Sequence, residues 1–547
     1  MERSVTRALQ ILLYTIVLFL IAVIIWLFYC RCHRTKEQTG TFGQHTVSAS
    51  VPPNHVSGGR YPPFKLLKED FNEDRPRAVP EGPRRGTLAP NVTGSKLFKI
   101  QDKKQNPPLG GSGDPVVFTG YNELGTESPG VGTPPDVNAA RNGNVVMLSY
   151  NTNLLLSTDG GGSYKLLDPT TIFPSGPSKD ASGNLLDNGL CCDQKLLYAP
   201  TIDRFVWLQQ FCGSGTGGCL TGINKVRVAV ASTQDVINST GTSWTYWDLA
   251  SATFNIGTTT MDYPDLSLGD NYLYFSADAV GNGLLVVRIP LNDIKGGGTL
   301  NMNYTNPSDS TLAYGGHLSQ NTGDTVFWAG HYDSSTIRIF DFPENSSQYF
   351  WRDVVINSWP TGTISSRDHD GVDWLSFAFP KNAVLGITRR NANEVWFAWT
   401  ATSNANFKNP QVQVLEINPA NYSVISQWQI WNNDYAFAYP SLATNSAGEV
   451  GISLGWGGNQ FYGNNAVGIL GDFIVWYPEL SDVSNPSRYG DYFNVARNTP
   501  QSAMFDASGY AVFKNTPPAA GQRFSPYYIQ FGRNSIVNGG DAAPVIK

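Results

Sequence analysis

Beyond residue 113 the chain is a succession of short apolar runs separated by polar turns, and no apolar face recurs there at helical spacing for more than a turn or two. Val145-Val146-Met147-Leu148, Phe205-Val206-Trp207-Leu208, Tyr272-Leu273-Tyr274-Phe275, Val326-Phe327-Trp328 and Val450-Gly451-Ile452-Ser453 are rich in β-branched and aromatic residues and bounded by Gly, Asn, Asp or Pro. These features predict strands. Each run follows a similar opening: Pro135-Asp136-Val137, Pro200-Thr201-Ile202, Tyr263-Pro264-Asp265-Leu266, His317-Leu318 and Tyr439-Pro440-Ser441-Leu442, with weaker copies near Trp374-Leu375 and Tyr489. A repeat of this length predicts one four-stranded blade per copy, hence an all-β fold, a seven-bladed β-propeller. Six blades is the alternative count, if the weakest copy is a long insertion.

The amino-terminal part differs. Ile11 to Cys30 is apolar apart from Thr15, and about 20 such residues suffice to cross a bilayer as a helix. It ends in Trp26-Leu27-Phe28-Tyr29-Cys30 rather than in small residues, so it is expected to be an uncleaved anchor and not a signal peptide. Residues 35–113 lose the periodicity and fill with Pro, Gly, Lys and Arg, the composition of a flexible stalk. The expected domains are 1–34 with the membrane helix, 35–113 as stalk and 114–547 as propeller. The clustered Cys191, Cys192, Cys212 and Cys219 favour a non-cytosolic propeller: Cys212 and Cys219 are spaced to pair across a hairpin, while adjacent Cys191 and Cys192 bond more easily elsewhere than to each other. Together with Asn-x-Ser/Thr sites at Asn91, Asn238, Asn303, Asn345 and Asn421, this gives a single-pass type II glycoprotein with its propeller extracellular or lumenal. A net charge of -6, with charged residues at 15%, leaves no basic surface for nucleic acid.

Ser157-Thr158-Asp159-Gly160-Gly161-Gly162-Ser163-Tyr164 carries the most specific local signal. A short carboxylate can tie down the amides of a glycine-rich turn while the following aromatic packs between sheets. With Ser157, Asp159, Gly161 and Tyr164 in place, the turn matches an Asp box, and from about Asp114 to Arg533 the chain resembles the BNR-repeat, sialidase-superfamily propellers. The resemblance implies glycan recognition, and in sialidases an arginine clamp on the substrate carboxylate, a Tyr nucleophile and an Asp acid/base. This chain departs from the family in holding a single good Asp box, and its Arg288-Ile289-Pro290 falls far downstream of the expected place, at a strand end.

In a propeller the residues that open the innermost strands converge on one mouth of the channel. That geometry nominates Asp491, Asp262, Tyr492 and Tyr263 as catalytic candidates, and Arg204, Arg488, Asp265, Tyr439 and Trp456 as ligand-binding ones, with Arg389 or Arg390 as a third clamp arginine. The bland alternative is that these side chains bond loop amides and seal the channel. Asp368, Asp370 and Asp373 sit at near-alternate positions in a Gly-containing loop, a candidate Ca²⁺ site without full EF-hand spacing; no other cofactor is expected. The functional expectation is a membrane-anchored propeller that recognises carbohydrate and is able to hydrolyse an acidic glycoside if catalytic; the alternative is a non-catalytic adhesion or protein-interaction scaffold.

Overall fold

A computed structural model describes residues 42–58, 96–97, 99–102, 116–123, 134–375 except 152, 382–485 except 473, 489–515 and 521–538. The expected anchor at 11–30 lies outside the described residues. No helix among those described is long and apolar enough to cross a membrane.

The strands form seven separate sheets in chain order, which settles the blade count. Blades 1 to 7 span residues 138–167, 190–250, 261–304, 325–355, 384–431, 436–477 and 494–533. The innermost strands are Asn138–Asn142, Leu190–Ala199, Met261–Leu268, Val384–Asn391, Ala436–Thr444 and Asn494–Arg497. In blade 4 the corresponding position is held by 317–322, an irregular segment whose Ser319 amide donates to the Phe327 carbonyl (2.8 Å) and whose Gln320 amide donates to Ile387 (2.8 Å). The two weak repeat copies precede their blades: Trp374 and Tyr489 belong to the loops before Val384–Asn391 and Asn494–Arg497.

Blades pack on both faces, so strands in the middle of a blade bury nearly every residue instead of alternating. Val145–Tyr150 and Val450–Gly458 are buried throughout, the pattern expected for a sheet covered on both sides. Gly451 shows how closely the blades approach: a Cβ there would stand 2.7 Å from the Phe505 ring in the next blade. Trp456, nominated from sequence as a sugar-stacking residue in a loop, lies in Val450–Gly458 instead and is 1% exposed, with Tyr435, Phe461 and Tyr477 around its ring. It is a core residue.

Chain closure comes from the amino-terminal side. Val116–Glu123 pairs antiparallel with Gln522–Arg533 as the outermost strand of blade 7. The described parts of the segment expected to be a stalk are also paired. Phe42–His45, Val47–Val51 and Asn54–Ser57 add outer strands to blades 4, 3 and 2 in turn, and Lys96–Leu97 and Lys99–Asp102 run parallel to the outer strands of blades 5 and 6. Each outer strand presents unpaired backbone N–H and C=O groups, which these segments satisfy, while Ala49, Val51 and Val56 pack against the apolar clusters between blades.

The glycine-rich turn at Ser157 lies between the third and fourth strands of blade 1, as expected. Gly161 donates its amide to Ser157 Oγ (2.8 Å), and Asp159 accepts from Ser157 Oγ (2.7 Å), the Ser163 amide (2.9 Å) and Ser163 Oγ (2.7 Å). These bonds hold the Asp159 carboxyl well below its usual range. Tyr164 packs against the apolar cluster between blades.

Candidate binding cavity and the sealed end of the channel

At the end where the innermost strands begin, the channel is closed by aromatic side chains. The loop before blade 5 carries Trp374 inward, and the loop before blade 7 meets it through the Tyr489 amide and the Trp374 carbonyl (3.1 Å). The Trp374 ring lies 5.9 Å from Tyr489 and 6.3 Å from Tyr439, and Tyr489 stacks on Tyr510 at 4.6 Å while its hydroxyl donates to the Tyr510 carbonyl (2.8 Å). Tyr263 and Tyr439, each followed by a proline, hold φ of +55° and +53° at breaks in strand pairing. That backbone region is costly for bulky residues, and the burial of both rings maintains it.

The expected open funnel is therefore absent at this end among the described residues, although the structure does bring three of its members together. Tyr263 Oη donates to the Asp491 carbonyl (3.0 Å), the Tyr263 and Tyr492 rings meet edge-on at 5.6 Å, and the Asp491 amide donates to Asp136 (3.1 Å). Tyr492, Tyr263 and Asp491 are buried, and desolvation raises the Tyr492 hydroxyl well above its ordinary pKa, with nearby carboxylates adding to the effect. Asp262 sits apart, accepting from Gln210 (2.7 Å).

Asp265 connects this layer to open space. It is buried, accepts the Leu318 amide (2.9 Å) and faces Lys195 Nζ at 3.8 Å. Lys195 is buried too, with its Nζ 3.1 Å from the centroid of the Tyr492 ring. Burial pulls its pKa down, against the carboxylates of Asp265, Asp193, Asp136 and Asp491. His317 completes the layer, 5.4 Å from Tyr263 and 5.7 Å from Tyr492 ring to ring. Desolvation lowers its pKa to about 4, so the imidazole is neutral at neutral pH, and its Nε2 has no hydrogen-bond partner among the described residues.

Lys195, Asp265 and His317 form one boundary of a cavity of about 370 Å³ that runs toward the end where the innermost strands finish. Its wall includes the amides of Asn138, Gln320 and Asn494, the hydroxyls of Ser441 and Thr444, and apolar patches at Leu266, Leu385 and Val495. Arg141, Arg497, Thr201, Asp270 and Asn321 stand around it near the blade turns. Arg141 donates to Gln530 (2.9 Å) and Tyr528 (3.2 Å), and Arg497 to the Thr444 carbonyl (2.9 Å). Asp506, also on the wall, accepts from Asn498 (2.7 Å) and from Tyr528; burial raises its pKa to about 6 against the pull of those donors and Arg141.

Of the residues nominated from sequence, Asp265 alone lines this cavity. Lys195, His317, Asp506, Arg141 and Arg497 were missed. Asp193-Gln194-Lys195 held a usable signal, since three polar residues in a row inside a buried strand require partners. The arginine clamp does not assemble: Arg204 donates to the Asp203 and Lys295 carbonyls (2.8 and 2.9 Å), Arg389 pairs with Asp324, and Arg390 pairs with Glu394 (3.1 Å). Arg488 lies outside the described residues. Arg288 is held by the Pro343 and Ser346 carbonyls (2.9 and 3.0 Å).

The candidate Ca²⁺ carboxylates do not converge either. Asp368 accepts the Asp370 and Val372 amides (both 3.0 Å), Asp373 accepts the Ser366 amide (2.8 Å), and Asp370 faces Ser484 (3.2 Å) and Tyr462 (3.4 Å). Asp368 and Asp373 close their own loop, whereas Asp370 reaches across to hydroxyls of other segments. Among the described residues, the donor atoms close enough to share a metal are the sulfurs of Cys191, Cys212 and Cys219.

No family model matches the chain, and no curated protein matches it. Among solved structures, an α-L-arabinofuranosidase from Fusarium graminearum is 13% identical, with 75% of this chain and 97% of that chain covered and a TM-score of 0.35. A Penicillium chrysogenum α-L-arabinanase is 8% identical over 76% of this chain and 98% of that chain, with a TM-score of 0.35. A leech intramolecular trans-sialidase is 9% identical over 62% and 67%, again with a TM-score of 0.35. Likenesses at this level carry nothing about this chain's chemistry; what the chain itself establishes is a seven-bladed β-propeller with one end of its channel sealed and a polar cavity at the other.

Proposed function

We propose that the propeller is a carbohydrate-recognition domain that takes a neutral sugar unit into the channel cavity, presented by a chain tethered to a membrane through residues 11–30. The observation that carries this reading is the composition of the cavity wall. Three cations, Arg141, Lys195 and Arg497, face three acids, Asp265, Asp270 and Asp506, among amides, hydroxyls and apolar patches. A balanced wall gives an anionic ligand no net attraction. Amides and hydroxyls match sugar hydroxyls, and apolar patches match the faces of a sugar ring. The cavity, at about 370 Å³, falls in the range of small-molecule sites.

Recognition without turnover is favoured over hydrolysis at the four residues first nominated for catalysis, because Tyr263, Tyr492 and Asp491 are buried within the sealed layer and Asp262 is buried apart from them against Gln210. The test is a glycan array probed with the full-length protein. Retention on glycans with neutral terminal sugars, competed by the free monosaccharide, supports the proposal. Retention on acidic glycans alone, or on none, rejects it, and the second outcome leaves the protein-interaction scaffold.

A further inference from the structure

Cys191, Cys192, Cys212 and Cys219 do not line the cavity and take no part in the proposed sugar site. Cys191 and Cys192 lie near the start of Leu190–Ala199, where pairing with Arg204–Phe211 is interrupted between Leu190 and Gln194. In a regular strand adjacent side chains point to opposite faces. The interruption frees both thiols to turn the same way, and contrary to the expectation from sequence they are bonded to each other. Cys212 and Cys219 are bonded across a tight hairpin, as expected. Its Gly213 amide donates to the Cys219 carbonyl (2.8 Å), and a Cβ on Gly213 would stand 2.1 Å from the Thr221 carbonyl oxygen, so glycine is what allows the chain to fold back this closely.

The result is a compact sulfur cluster. The Sγ atoms of Cys191, Cys212 and Cys219 lie within 4.8 Å of one another, and Cys191, Cys192 and Cys212 are buried. A tetrahedral ion with metal–sulfur bonds of about 2.3 Å holds its sulfurs about 3.8 Å apart. The Cys191 sulfur stands within about 1 Å of that spacing from the other pair, whereas Cys212 and Cys219, bonded to each other, must open by roughly 2 Å once reduced. Cys192, one peptide from Cys191, is the fourth.

We propose that in their reduced form Cys191, Cys192, Cys212 and Cys219 are a thiolate site for one zinc-class metal ion. Reduction by a small dithiol delivers two electrons and two protons to each disulfide and oxidises one dithiol per bond. The metal then displaces the thiol protons to solvent, which makes its affinity rise with pH. The two disulfides are the metal-free, oxidised state of the same cluster.

The experiment uses the full-length chain with Cys30→Ser and Cys32→Ser, leaving four of its six cysteines. The protein is reduced with a dithiol under anaerobic conditions, freed of reductant, assayed for four thiols and titrated with Co²⁺ as the spectroscopic probe. One Co²⁺ per chain, with the visible bands of tetrahedral thiolate ligation and displacement by Zn²⁺, is expected. The unreduced protein should show none of this. Cys219→Ser should weaken Co²⁺ binding at least tenfold while circular dichroism shows the fold retained. A folded chain with four counted thiols and no thiolate bands overturns the proposal, as do bands unchanged in Cys219→Ser. Unfolding on reduction that Zn²⁺ does not reverse overturns it equally, because the disulfides would then be purely structural.

Discussion

The two ends of the channel are finished by different kinds of connection. Where the innermost strands begin, long loops between blades fold inward and lay Trp374, Tyr489 and Tyr492 across the axis, over Tyr263 and Tyr439. Where the strands finish, short turns within blades, such as those between Asn142 and Val145 or Leu268 and Tyr272, are too small to reach across. Polar residues line the opening that remains. Strand geometry alone makes the ends equivalent, and it is the length and aromatic content of the loops that decides which of them admits a ligand. The carboxylates follow the same division: those near the sealed end neutralise Lys195, whereas Asp265 and Asp506 also face open volume.

The largest test of this contrast is Lys195→Met. It removes the cation shared by Asp265, Asp193, Asp136 and Asp491 and leaves buried charge uncompensated, which should cost about 3–5 kcal/mol in chemical denaturation. Next is the pH dependence set by Asp506. Its folded pKa of about 6 lies above the ordinary 3.8, so the folded state holds the proton between those values while the unfolded chain releases it. Stability from this group is present below about pH 4 and lost as pH rises through 6. Asp506→Asn should therefore stabilise the protein at pH 8, on the order of 2 kcal/mol, with no gain at pH 4.

Smaller effects sharpen the comparison. Tyr489→Phe removes the hydroxyl that donates to the Tyr510 carbonyl in the seal and should cost about 1 kcal/mol, with ligand binding intact. Ser157→Ala removes the acceptor of the Gly161 amide in the blade 1 turn; a loss of about 1 kcal/mol is expected, again without effect on the cavity. Arg204→Ala, at a surface turn bonded to backbone carbonyls, should change stability by no more than about 0.5 kcal/mol and binding not at all. A larger effect on binding would revive the clamp expected from sequence.

The architecture was legible because it is repetitive. Openings such as Tyr263-Pro264 and Tyr439-Pro440 recur at equivalent places, and the turn at Ser157 and Asp159 forms the bonds its residue types imply. The site was less legible, since a repeat shows that strand openings converge but not which end is covered. Trp374 reads from sequence as a weak blade start, and only the path of its loop makes it part of a seal. Lys195 and His317 acquire their roles from neighbours in other blades, with sequence separations that no local pattern spans. The outer strands at 42–57 were hidden for another reason. They are edge additions joined by backbone hydrogen bonds, and only Ala49, Val51 and Val56 reach the apolar clusters, too few to mark a strand amid the surrounding Pro and Gly.

The most direct measurement is the binding of a neutral monosaccharide, chosen from the array, to the full-length protein carrying either Thr201→Trp or Tyr489→Phe. Thr201 is an exposed residue of the cavity wall and Tyr489 belongs to the seal. Loss of binding in Thr201→Trp, with binding kept in Tyr489→Phe, is the predicted result. Binding kept in Thr201→Trp and lost in Tyr489→Phe would contradict the account and place recognition at the end the aromatics close.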